Sequence, residues 1–324
     1  MNTTIEKNRT QAPEGIVINK LPVPTWNHLK INEAYLPGTA DPDGSHAGSR
    51  KICLDITDKQ TDPVVYDIDV SDGKGIFVDI TAKEDAEVIL RYSEKTAGEA
   101  KTNFPVGIYI SQAEGVNLHL VQVNSNITGR RLYSSVHGVI ADRAALRMTG
   151  ISLNSKETYL EGKVTLKGEG SSYDTYTAYI LSEGETLDMN YVADHVGKKT
   201  VAEIVSAGVL HKGCRKISRQ TVNFISGCSG SVGRENEEVL LLDDDVVNLS
   251  APLILCTEED VEGEHGASIG QPDEETVYYL MSRGLTGEQV LSILSTAKVE
   301  AALLRIGHEE TSELVYRALD RGES

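Results

Sequence analysis

The sequence predicts a mainly β protein that ends in a helical module, and three observations carry the prediction. Apolar and polar residues alternate with period two from about Lys51 to Val261, roughly two hundred residues. Clusters of Gly, Asn, Asp and Ser interrupt that stretch roughly every 8–12 residues, as turns between short strands do. After Gln271-Pro272 the apolar spacing becomes helical. The 324-residue chain therefore divides into an N-terminal segment of residues 1–50, a β core of 51–271 and a helical C-terminal part of 272–324.

The N-terminal segment is rich in Pro, Asn, Gly and Asp. Within it, Leu21 to Asn32 reads as a short helix pinned to the body by Trp26, the only tryptophan. Ala40-Asp41-Pro42-Asp43-Gly44-Ser45 is turn chemistry. In the core, Val88, Leu90 and Tyr92 alternate with Ile89, Arg91 and Ser93. Val116, Leu118 and Leu120 alternate likewise with Asn117, His119 and Val121. Leu160, Gly162, Val164 and Leu166 repeat the pattern, as do Ile204, Ser206, Gly208 and Leu210. The alternation alone leaves a sandwich, a barrel and a β-solenoid open, because no exact repeat selects among them.

Asp273, Glu274 and Glu275 suit a helix start, where the macrodipole favours anions. Val277, Leu280 and Met281 share a face, and Gly284 ends that helix. Thr286 with Gln289 is a capping box that opens a second helix along Val290, Ile293, Leu294, Ala297 and Ala301. Leu314, Val315 and Leu319 mark a third. Stripes this narrow must pack on something, either the β core or a partner protein.

Composition excludes more than it indicates. Hydrophobic residues make up 40% and charged residues 25%, ordinary values for a globular chain. A net charge of −18 argues against nucleic acid and against an anionic membrane surface. No apolar run reaches the length of a spanning helix. Cys53, Cys214, Cys228 and Cys256 contain no CxxC pair, and so few in so long a chain fit a reducing cytoplasm better than a disulfide framework.

Phosphate-loop, dinucleotide and nucleophile-elbow motifs are all missing, so no nucleotide site is expected on this chain. Gly227-Cys228-Ser229-Gly230 reads as a plain turn, and His195 and His211 as turn or core histidines. Glu264-His265 is the more suggestive couple. It closes a strip from Glu235 to Glu264 that is rich in acids and holds no Lys or Arg. Imidazole with carboxylate suits iron or zinc, whereas the bland reading is a solvated acidic face.

Three stretches resemble the SufB/SufD family of iron–sulfur cluster assembly proteins. His195-Val-Gly197-Lys-Lys-Thr200, running through Gly208-Val209-Leu210 to Arg215 and Arg219, is similar to the family's His-x-Gly-x-x-Thr strand and the arginine-bearing strand after it. Leu240-Leu241-Leu242-Asp243-Asp244 resembles its Leu-Leu-x-x-Asp turn. His265-Gly266-Ala267-Ser268-Ile269-Gly270, continuing to Tyr279-Leu280-Met281-Ser282-Arg283-Gly284-Leu285, resembles its His-Gly-Ala-Thr-x-Gly seam and Tyr-Leu-x-Ser-Arg-Gly helix. The match spans about residues 150–306.

The resemblance implies a right-handed parallel β-helix flanked by helices. It implies a scaffold rather than an enzyme, paired with a second SufB/SufD-like subunit as homo- or heterodimer. An ABC-type ATPase, SufC, would dock on the C-terminal helices through Tyr278, Met281, Arg283 and Leu285. The cargo would be a transient iron–sulfur cluster. His265 matches the seam histidine implicated as a ligand, and Glu264 the acid before it in the SufB branch. The resemblance implies a cysteine where Glu237 stands in the SufB branch and where Gly263 stands in the SufD branch. Cys256 is the candidate substitute thiol, although in the apolar run 252–256 a free cysteine usually behaves as a small hydrophobe. Two rivals predict different surfaces. A polysaccharide-active solenoid enzyme needs a groove of carboxylates and aromatic platforms, against an aromatic content of 5%. A purely structural partner subunit needs no ligand at all.

Overall fold

The period-two segments stack as the rungs of a parallel β-solenoid of about seven turns. The structure is a computed structural model that describes residues 15–38, 49–96 and 102–322. An antiparallel pair comes first, β1 (Ile16–Ile18) with β2 (Ala34–Leu36). The solenoid strands follow: β3 (Arg50–Ile56), β4 (Val64–Asp69), β5 (Ile76–Ala82), β6 (Ala86–Ser93), β7 (Thr102–Gln112), β8 (Asn117–Ile140), β9 (Ala145–Leu166), β10 (Ser172–Leu181), β11 (Thr186–His195), β12 (Val201–Leu210), β13 (Arg215–Phe224), β14 (Ser231–Leu241), β15 (Val247–Cys256) and β16 (Val261–Gly270).

Odd-numbered strands build one face and even-numbered strands the other. β8 and β9 are long enough to serve both, and they turn the corner at Asn126 (φ 57°) and Asn154 (φ 50°). Asparagine tolerates that left-handed conformation better than most residues. The opposite corner is a ladder. Gly115, Arg143, Gly170, Lys199 and Gly230 all have positive φ. Their N–H groups donate up the stack to the carbonyls of Asp142, Glu169, Lys198, Ser229 and Asp260 at 2.7–3.0 Å. Each coil thereby satisfies the turn of the coil before it, and one coil alone would leave those groups bare.

Inward side chains such as Val78, Leu90, Phe104, Leu120, Val164 and Ile204 fill the space between the two faces. Ile89, Val121, Val123, Ile151, Leu153 and Ala178 point outward on the even-numbered face and are nonetheless buried. Helices cover them. Three helices lie among the described residues: α1 (Glu274–Ser282), α2 (Gly287–Leu303) and α3 (Glu309–Gly322). Val299, Ala302, Leu303 and Ile306, with Val315 and Ala318, seal the outer surface of β8, β9 and β10. Asp273 caps α1, and the Thr286–Gln289 box caps α2, as the sequence predicts.

The parallel β-helix expected from the resemblance is borne out. The helix expected over Leu21–Asn32 is not: residues 27–30 form a turn. Pro22 and Pro24 carry no N–H to donate. The segment instead closes on itself, with Leu21 N–H to Asn32 O and Trp26 N–H to Asn32 Oδ1, both at 2.8 Å. Trp26 still packs on the body, beside Leu21, Ile31, Ile217 and Ala251. The N-terminal segment thus straps the outer surface of the odd-numbered face. Arg219, fully buried beneath it, donates to Ile31 O at 2.6 Å and pairs with Asp188. The Ala40–Ser45 turn lies outside the described residues.

Candidate functional site

The solenoid is open at its C-terminal end. β15 and β16 each pair with a neighbour on one side only. Side chains that would be interior elsewhere meet solvent there, among them Ile254 (39% exposed) and Ile269 (45% exposed). An uncapped strand edge is a template for pairing with another chain.

The proposed ligands lie on this last coil. Because successive strand residues point to opposite faces, Glu264 and His265 diverge. Glu264 faces outward, where Arg234 Nε donates to its Oε2 at 3.0 Å. His265 turns inward, opposite Glu235 in the β14–β16 register. Cys256 ends β15 on the other face, exposed, with its thiol donating to Glu258 O at 2.9 Å. Among the described residues, no three His, Cys, Asp or Glu side chains converge as a metal-holding group.

What His265 faces is a residue that sequence reasoning placed in a solvated acidic strip. Glu235 is wholly buried, and neither carboxylate oxygen has a hydrogen-bond partner. His265 Nδ1 lies 3.9 Å from Glu235 Oε2. Burial pushes this carboxyl up to about 8, and the nearby Val222 and Leu253 N–H groups offset only part of that. Two positions further along, inward Glu237 is satisfied by Lys216 and Ser250. Only the register reveals both acids as interior, since the strip's charge pattern looks like a surface.

The motif residues upstream are structural. His195 Nδ1 meets Thr200 Oγ1 at 2.7 Å, and Thr200 Oγ1 meets Ser231 Oγ at 2.7 Å, which ties two coils together. A Cβ on Gly197 would sit 2.4 Å from Gly168 O, and one on Gly208 would enter the Tyr179 ring at 2.3 Å. The His-x-Gly-x-x-Thr and Gly-Val-Leu patterns therefore specify close coil-to-coil approach. Cys228 is buried in the turn expected of it.

Helix α1 is the other exposed feature. It has no buried residue. Tyr278 is 77% exposed and Met281 48%. Arg283 is exposed with its guanidinium over the Tyr279 ring, and Leu285 is half-buried. A cleft of about 380 Å³ opens beneath, between Leu241, Leu242 and Pro272 on one side and Val277, Tyr278 and Met281 on the other. Among the described residues no helix is long and apolar enough to cross a membrane.

Known proteins are similar to part of this chain in sequence. SufD, an iron–sulfur cluster assembly protein of Bacillus subtilis, is 29% identical over 137 residues, 42% of this chain and 31% of its own length. An iron–sulfur cluster assembly SufBD family protein of Staphylococcus epidermidis is 27% identical over 149 residues, 46% of this chain and 32% of its own. One from Mycobacterium leprae is 26% identical over 188 residues, 56% of this chain and 22% of its own. The alignments thus span a third or less of these relatives' lengths. Residues 72–298 match the SufBD core domain of the SUF system for FeS cluster assembly, a stretch that starts well before the motifs and takes in most of the solenoid. On that match, the chain belongs to the SufBD core family of iron–sulfur cluster assembly proteins.

Proposed function

We propose that this chain is a scaffold subunit on which an iron–sulfur cluster is assembled, without catalytic activity of its own. It works in the cytoplasm with an ABC-type ATPase of the SufC kind and with a second SufB/SufD-like subunit. The observation that carries the reading is the division of labour among the helices. Helices α2 and α3 are spent on the solenoid wall, whereas α1 buries nothing and offers Tyr278 and Met281 to solvent. Aromatic and Met side chains held out on a helix suit an adaptable protein interface.

The C-terminal part, residues 272–324, is then the docking module. Tyr278, Met281, Arg283 and Leu285 meet the ATPase, which binds the nucleotide that this chain does not. The free edges of β15 and β16 receive the second subunit. Ligands for the cluster, carried as cargo, come from this junction: His265 from the inner side, with Cys256 and Glu264 on the same last coil. Among the described residues too few donors converge to hold a cluster, which fits a site completed by the second subunit. ATP-driven closure of the ATPase pair pulls on α1 and shifts the two solenoids against each other, opening the site.

Anaerobic reconstitution with iron and sulfide tests the ligand role. The expected result is a bound cluster in the assembled wild type and its loss in His265→Ala. No cluster, or an unchanged one in His265→Ala, favours the purely structural subunit instead. The polysaccharide-enzyme rival has one observation to stand on, the stacked rings of Phe77, Tyr109 and His137 on the odd-numbered face. The cleft beside them has Asp79 as the one carboxylate among its lining residues, and glycoside hydrolysis ordinarily needs two.

A further inference from the structure

Glu235 is the one acid in the last coils with both carboxylate oxygens buried and no hydrogen-bonded side chain, and the nearby Val222 and Leu253 N–H groups offset only part of that burial. Two interior polar side chains of these coils are already committed. Lys216 is committed to Glu237, Asn248 and Ser250. Gln220 donates to Ser206 at 3.1 Å. Glu235 has no such partner and no solvent. A buried carboxyl left bare costs stability, so its presence calls for an occupant.

The geometry points to a divalent transition-metal ion held between Glu235 Oε2 and His265 Nδ1, with Glu235 as the anionic ligand of the site. This rests on the reading of His265 as a ligand. The two atoms are 3.9 Å apart, beyond hydrogen-bond reach. Two metal–ligand bonds of about 2.0–2.2 Å each span that gap. One carboxylate oxygen with one imidazole nitrogen suits Fe²⁺, Co²⁺ or Zn²⁺ better than a hard cation such as Mg²⁺ or a thiophilic one such as Cu⁺. An entry path exists, because His265 is 36% exposed at the open end while Glu235 is sealed behind it. The inward neighbours of His265 on β16 are Gly263 and Ala267, so small side chains flank the approach. The remaining coordination positions face the open end, where water or a second subunit fills them.

This assignment separates Glu235 from Glu264. Both are acids near the seam, but Glu264 is held outward by Arg234 and Glu235 alone is aimed at the histidine.

Titration of the anaerobic full-length chain with Co²⁺, read by its visible absorption and by calorimetry, tests the assignment. The expected result is one site in the wild type, weakened at least tenfold in Glu235→Gln and in His265→Ala. Glu235→Asp, which keeps the charge but withdraws it by one methylene, should fall between wild type and Glu235→Gln. Thermal unfolding in chelator checks that each variant is folded. Wild-type affinity in Glu235→Gln alongside loss in His265→Ala overturns the assignment and leaves the proposed function standing. A wild type that binds no Co²⁺ overturns the assignment as well, while the proposed function, whose site is completed by a second subunit, stands or falls on the reconstitution of the assembled protein.

Discussion

Lys216 and Glu237 meet as an ion pair across the interior of the solenoid, one from each face, and both are shut off from solvent. Burial pushes the lysine ammonium down, and Glu237 pulls it part of the way back. Asn248 and Ser250 complete its shell. Glu237, at the position where the resemblance to the SufB branch implies a cysteine, is here one half of a buried ion pair. Glu237→Ala should strand the buried ammonium and cost roughly 3–5 kcal/mol, whereas the double variant Lys216→Met, Glu237→Leu should stay near wild type. Denaturant unfolding of the single and double variants measures the difference. Equal losses in both would contradict the pairing.

The coil-to-coil approach at Gly197 admits no side chain. A Cβ there would press into the Gly168 carbonyl, which is backbone and cannot swing aside. Gly197→Ala should therefore destabilise by about 1–3 kcal/mol or more. Gly227→Ala offers a comparison, since open space surrounds it and only its positive φ opposes the substitution. Unfolding midpoints of the two variants should differ, with Gly197→Ala the lower.

Glu235 makes stability depend on pH. Its folded carboxyl lies at about 8 against an ordinary 4.5. Between those values the folded chain holds a proton that the unfolded chain has released. Its contribution is therefore full below about pH 4.5 and lost as pH rises through about 8. In chelator, Glu235→Gln should gain stability relative to wild type across that window. Parallel pH profiles for the two proteins would show that Glu235 does not titrate in the fold.

His195 acts at the other end of the scale. Burial pushes its imidazole down to about 4 from 6.5, and Nε2 has no partner. The unfolded chain takes up a proton first as pH falls, so stability is full above about 6.5 and lost on descent through about 4. His195→Asn keeps a hydrogen-bonding group toward Thr200 without the titration. Its unfolding midpoint should vary less between about pH 4 and 7 than that of the wild type.

The strands, the helix caps and the change of period near residue 271 were all legible, because each depends on local pattern. The coil repeat was not. Its corner recurs at residues 115, 143, 170, 199 and 230, but Arg143 and Lys199 occupy positions that glycine holds elsewhere, so no residue type marks the period. The segment of residues 21–32 departs from the expected short helix because Asn32 closes it as a loop through the Trp26 N–H. At the seam, Glu264 and His265 were adjacent in sequence and so drew attention as a couple. Alternation along β16 sends them to opposite sides, and the acid that faces the histidine comes from the preceding coil.

Affinity capture of the tagged chain from its own cells, with the retained proteins identified by mass spectrometry, puts the scaffold account to its most direct trial. The account predicts an ABC-type ATPase retained by the wild type and lost in Tyr278→Glu and Met281→Glu, with thermal stability unchanged because α1 buries neither side chain. A wild type that retains no such ATPase, or variants that retain it undiminished, would contradict the account.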